Sequence, residues 1–144
     1  MLLNAKANVN VFDRHQKTPL HRCIELYGSI TVARKLVNAK ANVNTKDIYQ
    51  QTPLYLAAQR GEIDIVQLLI DNNADVDFDG AGSTALHFAA GSSPDILEML
   101  LEAKASVDVR DCYLRTPLHL AASRAPNSSV KQLLHALIAQ ISME

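Results

Sequence analysis

Histidine, cysteine, aspartate and glycine are the residues here whose types and spacing could do chemistry. His21 with Cys23 has the residue types of a base and a nucleophile. Residues two apart on a helix do not share a face, and no acid is placed to orient the pair, so the match fails on geometry. His21, His87 and His119 recur through the chain and could suggest a metal row. Each sits at the same place in a repeating tetrad, and no His-x-x-x-His or Cys-x-x-Cys pair accompanies them. Asp13, Asp47, Asp79 and Asp111 could be mistaken for a carboxylate cluster. At one per repeat they stand a stacking distance apart, and side-chain bonds to the backbone of a turn are their expected work. Gly80-Ala81-Gly82-Ser83 is too short for a phosphate cradle and lacks its lysine. The expectation is a non-enzymatic chain without cofactor or metal.

Those residues must be held by a repeat. The four aspartates are spaced 34, 32 and 32 apart, and five positions after each comes Thr18, Thr52, Thr84 or Thr116. Each threonine opens a tetrad: Thr18-Pro19-Leu20-His21, Thr52-Pro53-Leu54-Tyr55, Thr84-Ala85-Leu86-His87 and Thr116-Pro117-Leu118-His119. Threonine caps a helix N-terminus, and proline fits the first helical position because its missing N–H has no partner to lose. In the second unit Leu54, Ala57 and Ala58 form a stripe of small apolar residues, and Gly61 can end the helix left-handed. Ile63, Val66, Leu69 and Ile70 then mark a second helix, and Asn73-Ala74-Asp75-Val76-Asp77 a returning turn. Helices this short gain their stability from stacking on their neighbours.

Residues 47–77 resemble the ankyrin-repeat family nearly in full, and the resemblance extends over essentially the whole chain. It implies an all-α solenoid of stacked helix-turn-helix units with β-hairpin-like fingers. The expected division is a partial repeat at 1–12 and repeats at 13–46, 47–78, 79–110 and 111–144.

Bulk properties agree with such a stack. The formal net charge is -1, which gives no global pull toward nucleic acid or membrane. Aromatic residues are 5% and tryptophan is absent, so the core must be aliphatic. Cys23 and Cys112 are too few and too far apart for a disulfide framework, and no apolar run is long enough to span a bilayer. An intracellular, cytoplasmic protein is expected. Because Leu2-Leu3 look like the tail of a second helix without its partner, the chain reads as a piece of a longer repeat protein, whose open ends could support weak self-association.

The departures from the repeat raise further expectations. Repeat one has Cys23 and Ile24 where alanines are usual, which should loosen or shift its packing. Repeat three shortens its inter-helix turn at Gly91-Ser92-Ser93-Pro94, and repeat four has an irregular one at Arg124-Ala125-Pro126-Asn127-Ser128. A last helix is expected over about Ser129 to Ile141. In the fingers, Gly82 supplies a left-handed residue, but Gln16, Gln50 and Leu114 stand at the matching positions. Either those fingers use a different turn or the stack tolerates a strain of about 1 kcal/mol. Leu114 is expected to tuck onto a neighbouring finger rather than mark a contact.

By the same resemblance, a partner sits on the concave side of fingers and first helices. The carried-over positions are Arg14, His15 and Lys17; Lys46, Ile48, Tyr49, Gln51, Gln59 and Arg60; Phe78, with Ala81 and Ser83 beside it; and Arg110, Tyr113, Leu114, Arg115 and Arg124. This set is basic and aromatic, whereas Glu62, Asp64, Asp71, Asp95, Glu98 and Glu102 fall on second helices and their turns. The expected partner is a protein with an acidic surface, without nucleic acid or membrane insertion. The leading role is an interaction module within an adaptor or scaffold, and the alternative a regulatory or targeting array of a larger enzyme or ion channel.

Overall fold

The computed structural model describes residues 7–124 and 127–143. Leu2, Leu3 and most of the irregular turn after Arg124 lie outside the described residues. Four helix pairs follow one another: α1 (Pro19–Leu26) with α2 (Ile30–Asn38), α3 (Pro53–Arg60) with α4 (Ile63–Asp71), α5 (Ala85–Ser92) with α6 (Pro94–Glu102), and α7 (Pro117–Arg124) with α8 (Asn127–Ser142). First helices pack on first helices and second on second, from α1 through α7 and from α2 through α8. The chain is thus an all-α solenoid, and no helix among the described residues is long and apolar enough to cross a membrane.

The tetrads start the first helices as their chemistry dictates. The Thr18 and Thr52 hydroxyls accept the backbone N–H of the residue three positions on, with proline next to each cap. Where that residue is histidine, its ring bonds back to the threonine and closes a reciprocal cap, as in Thr18–His21 and Thr84–His87. Leu20, Leu54 and Leu86 are fully enclosed, and Ala57, Ala58, Ala89, Ala90 and Ala121 let the first helices approach closely. Ile65, Val66, Leu69, Ile96, Leu97 and Leu100 close the core from the second-helix side, so the interior is aliphatic.

Cys23 and Ile24 are accommodated inside repeat one. Both are buried in the same core as the alanines they replace. Their volume is balanced on α2, where Ala33 stands at the place that repeat two fills with Val66. Repeat three's turn is shorter than its sequence suggests: Gly91 and Ser92 belong to α5, and Ser93 alone ends α5 and caps α6. The last helix runs to 16 residues, against nine in the other second helices. Leu133 is buried there, but Leu134, Ile138 and Ile141 face outward.

The turns between repeats form a ladder. Asn10 donates from Nδ2 to the Lys40 carbonyl and accepts the Asn42 N–H, 3.2 and 2.7 Å. Asn44 repeats the pattern on Asn73 and Asp75, 3.1 and 2.8 Å. Asp77, a carboxylate, can only accept, and takes both the N–H and the hydroxyl of Ser106, 2.7 and 2.9 Å. Each rung ties one repeat's turn to the next.

Candidate functional site

The fingers are built from aspartate. In finger one, Asp13 Oδ1 accepts the N–H groups of His15 and Lys17 at 2.8 and 3.0 Å. Asp47 and Asp111 do the same for Tyr49 and Gln51 and for Tyr113 and Arg115. Gln16, Gln50 and Leu114 all adopt positive φ, between 55° and 61°. The three fingers therefore share one strained turn, held by the carboxylate staple at its base and by the stack. Burial pushes the Asp13 carboxyl up, but the Lys17 N–H, the Arg22 guanidinium and the His15 N–H outweigh it and hold its pKa at about 2.

Finger three is the one that differs. Gly80 and Ser83 exchange two backbone hydrogen bonds, 2.9 and 3.1 Å, around Ala81 and Gly82, both at positive φ. This is a tight two-residue hairpin turn. Asp79 is left outside it and exposed, which corrects the expectation that all four aspartates set a finger turn.

The reason lies one repeat earlier. His21 Nδ1 accepts the Thr18 N–H at 3.2 Å, so the ring carries its proton on Nε2, which donates to the Gln51 carbonyl of finger two at 3.0 Å. His87 bridges in the same way to the Arg115 carbonyl of finger four at 2.9 Å. Backbone bonds Ile48 N–H to His15 O and Cys112 N–H to Gly82 O accompany these bridges. Repeat two has Tyr55 instead. Its ring is buried, meets Phe88 edge-to-face with centroids 5.0 Å apart, and burial pushes its phenol above the ordinary range. It presses on finger three where Gly80 has no side chain: a β-carbon there would stand 2.9 Å from the ring and 3.0 Å from the Gln50 carbonyl. Among the described residues no backbone hydrogen bond joins fingers two and three.

Most of the anticipated partner-facing side chains are accessible. Arg14, Lys46, Ile48, Tyr49, Gln59, Arg60, Arg110, Tyr113, Leu114 and Arg124 are exposed; His15, Gln51, Phe78 and Arg115 are half-buried. Lys46 stands over the Phe78 ring at 4.3 Å and Arg115 over Tyr113 at 4.8 Å. Two expectations are corrected. Lys17 is 6% exposed: its ammonium pairs with Glu25 and lies 3.9 Å from the buried Asp47 carboxylate, so it joins fingers one and two instead of facing a partner. Leu114 does not tuck away; it stands 69% exposed at a finger tip with positive φ.

Gln59, Tyr113, Arg115 and Arg124 converge on one cleft of about 520 Å³ between the third and fourth fingers and helices α5 and α7. Phe88, Gly91, Cys112 and Leu120 line it too, and sequence reasoning did not single them out as partner-facing. A signal existed: repeat three has Gly91-Ser92 where repeat two has Gln59-Arg60, so the cleft opens where two long side chains are missing. The distant Arg14, Lys46 and Tyr49 do not reach it. Three or more His, Cys, Asp or Glu side chains nowhere gather to hold a metal ion among the described residues.

Comparison with known proteins matches residues 27–111 to a family model described as ankyrin repeats (3 copies) and residues 113–142 to one described as ankyrin repeat. Among curated proteins, the chain is 34% identical over 76 residues to the E3 ubiquitin-protein ligase KEG of Arabidopsis thaliana, covering 51% of this chain and 5% of that protein. It is 46% identical over 56 residues to the tyrosine-protein kinase Shark of Drosophila melanogaster, covering 38% of this chain and 6% of that protein. The chain thus spans only a small fraction of either relative's length.

Proposed function

Since this chain belongs to the ankyrin-repeat family, we propose that it is a non-enzymatic module that holds another protein on the concave face of its fingers and first helices, within a larger adaptor or scaffold. Ankyrin repeats are generally protein-interaction modules, so the class of function follows from the family. The finer reading rests on one observation: exposed basic and aromatic side chains run along the finger side, from Arg14 through Tyr49 to Tyr113 and Arg124. Arginine and tyrosine are the types that anchor interfaces, and the rigid stack holds them ready at little entropic cost. A partner with an acidic surface is favoured by the exposed cations of this face, whose charge steers encounter.

The test is affinity capture with quantitative mass spectrometry. The parent chain is compared with a variant carrying Arg14→Glu, Tyr49→Ala and Tyr113→Ala, and with one carrying Arg34→Glu and Lys35→Glu on α2. A protein retained by the parent and the α2 variant but lost by the finger variant supports the reading. Loss on the α2 variant alone moves the interface to the second helices and overturns it.

A second reading has its own support. Both named relatives are enzymes of which this chain covers about one-twentieth. The repeats would then be a regulatory or targeting array beside a catalytic segment. Sequencing the complete transcript separates the two readings, since a kinase or ligase segment in the same frame supports the second.

A further inference from the structure

The cleft between fingers three and four differs from the rest of the finger side in shape and in charge. Its floor is apolar, made by Phe88 and Leu120, with Gly91 between them on α5. A β-carbon at Gly91 would lie 3.9 Å from Leu120 and from Arg124, so anything longer would fill the space. Two cations reach the cleft, but they are not equivalent. Arg115 is committed to the Asp111 carboxylate at 2.9 Å through Nε and 2.8 Å through its terminal nitrogen. Arg124 has no ion-pair partner among the described residues and is exposed at the end of α7. An available guanidinium at the edge of an apolar hollow complements a carboxylate carried beside a large apolar group.

We infer that this cleft is the specificity pocket of the finger side, taking a large apolar side chain of a partner protein on Phe88 and Leu120 while a neighbouring Asp or Glu of the same segment binds Arg124. The inference rests on the concave-face reading proposed above and narrows it to one segment chemistry. A peptide segment fits better than an isolated small molecule, because Tyr113 and Leu114 stand exposed on the adjoining finger and continue the contact beyond the hollow. Repeat two cannot form the same pocket, since Gln59 and Arg60 occupy the corresponding places.

Panning a displayed library of random peptides on the whole chain tests this, followed by fluorescence anisotropy of the enriched sequence as a labelled synthetic peptide. Enriched peptides are expected to carry Asp or Glu within two positions of Phe, Leu or Trp. Arg124→Glu should weaken binding by about tenfold or more, and the loss should shrink at high salt. Gly91→Gln fills the hollow at a helical position where glutamine is favoured, so it should block binding without unfolding the chain; matching urea midpoints verify that. Arg34→Glu, exposed on α2 and outside the cleft, should leave the affinity within about twofold, beyond the reach of screened charge. No enrichment, no acidic-apolar pattern, or equal affinity for parent, Arg124→Glu and Gly91→Gln overturns the pocket. Binding that Arg14→Glu, on the first finger, abolishes while both cleft variants keep it also overturns the pocket and leaves the concave face in place. Binding that none of these variants changes, together with capture that the finger variant does not change, removes the wider reading as well.

Discussion

The joint between repeats one and two and the joint between repeats two and three solve one packing problem with different chemistry. At the first, His21 fills the space under the next finger with a neutral ring bonded on both nitrogens, and Lys17 is buried between Glu25 and Asp47. At the second, the Tyr55 ring fills the same space by contact, against Phe88 and a finger whose Gly80 gives way to it. The stack requires that the gap be filled; it tolerates a buried Asp47 Oδ2 that meets Lys17 only at 3.9 Å and accepts no hydrogen bond. It does not require one residue to fill the gap, provided the facing finger changes with it.

The contrast can be broken most severely at Tyr55. Tyr55→Ala removes a buried ring from a joint without inter-finger backbone bonds and is expected to cost about 4 kcal/mol, read from urea unfolding. The polar joint breaks next. Asp47→Ala strips the partners from two finger N–H groups and leaves Lys17 with Glu25 alone, an expected loss of about 3 kcal/mol by the same assay. Gly80→Ala is expected to cost about 2 kcal/mol through its collision with the tyrosine ring. Tyr55→His in the same chain should recover part of that loss, and a double-mutant cycle showing no coupling would sink the account of finger three.

Acid sharpens the comparison more gently. Burial holds the His21 ring below its ordinary pKa of 6.5. Above 6.5 both folded and unfolded rings are neutral. As pH falls below 6.5 the unfolded ring takes up a proton that the folded ring resists, so stability declines. A His21→Gln variant should lose that part of the slope between pH 7.5 and 5.5, while the tyrosine joint contributes none. Asp13, at about 2 against an ordinary 3.8, adds a separate loss as pH falls from 3.8 toward 2. The smallest effect is expected at Asp79→Ala, within about 0.5 kcal/mol of the parent, because its carboxylate sits outside its turn.

The repeat was legible because its punctuation is local. Thr-Pro caps, the small-residue stripe and the Asn/Asp turns each act within a few residues of themselves, so the sequence shows them directly. The histidines were likewise legible as one recurring position of the tetrad rather than a metal row. What could not be read was cooperation across repeats. The burial of Lys17 needs Glu25 from α1 and Asp47 from the next finger. The altered hairpin at Gly80 needs Tyr55 from the previous repeat, and the cleft needs Gly91 and Arg124 from adjacent first helices. Leu114 misled because an apolar side chain at a wet tip suggested shelter, whereas it stands 69% exposed.

The two kinds of joint also bear on how such a chain can be cut and respliced by recombination. Removing repeat two alone would set His21 against the Gly80 finger, which is shaped for a phenol ring and lacks the aspartate staple. Removing repeats two and three together would bring His21 to the Arg115 carbonyl, the acceptor that His87 already uses. The matched unit of exchange in this molecule is therefore a pair of repeats, although the unit of sequence is one.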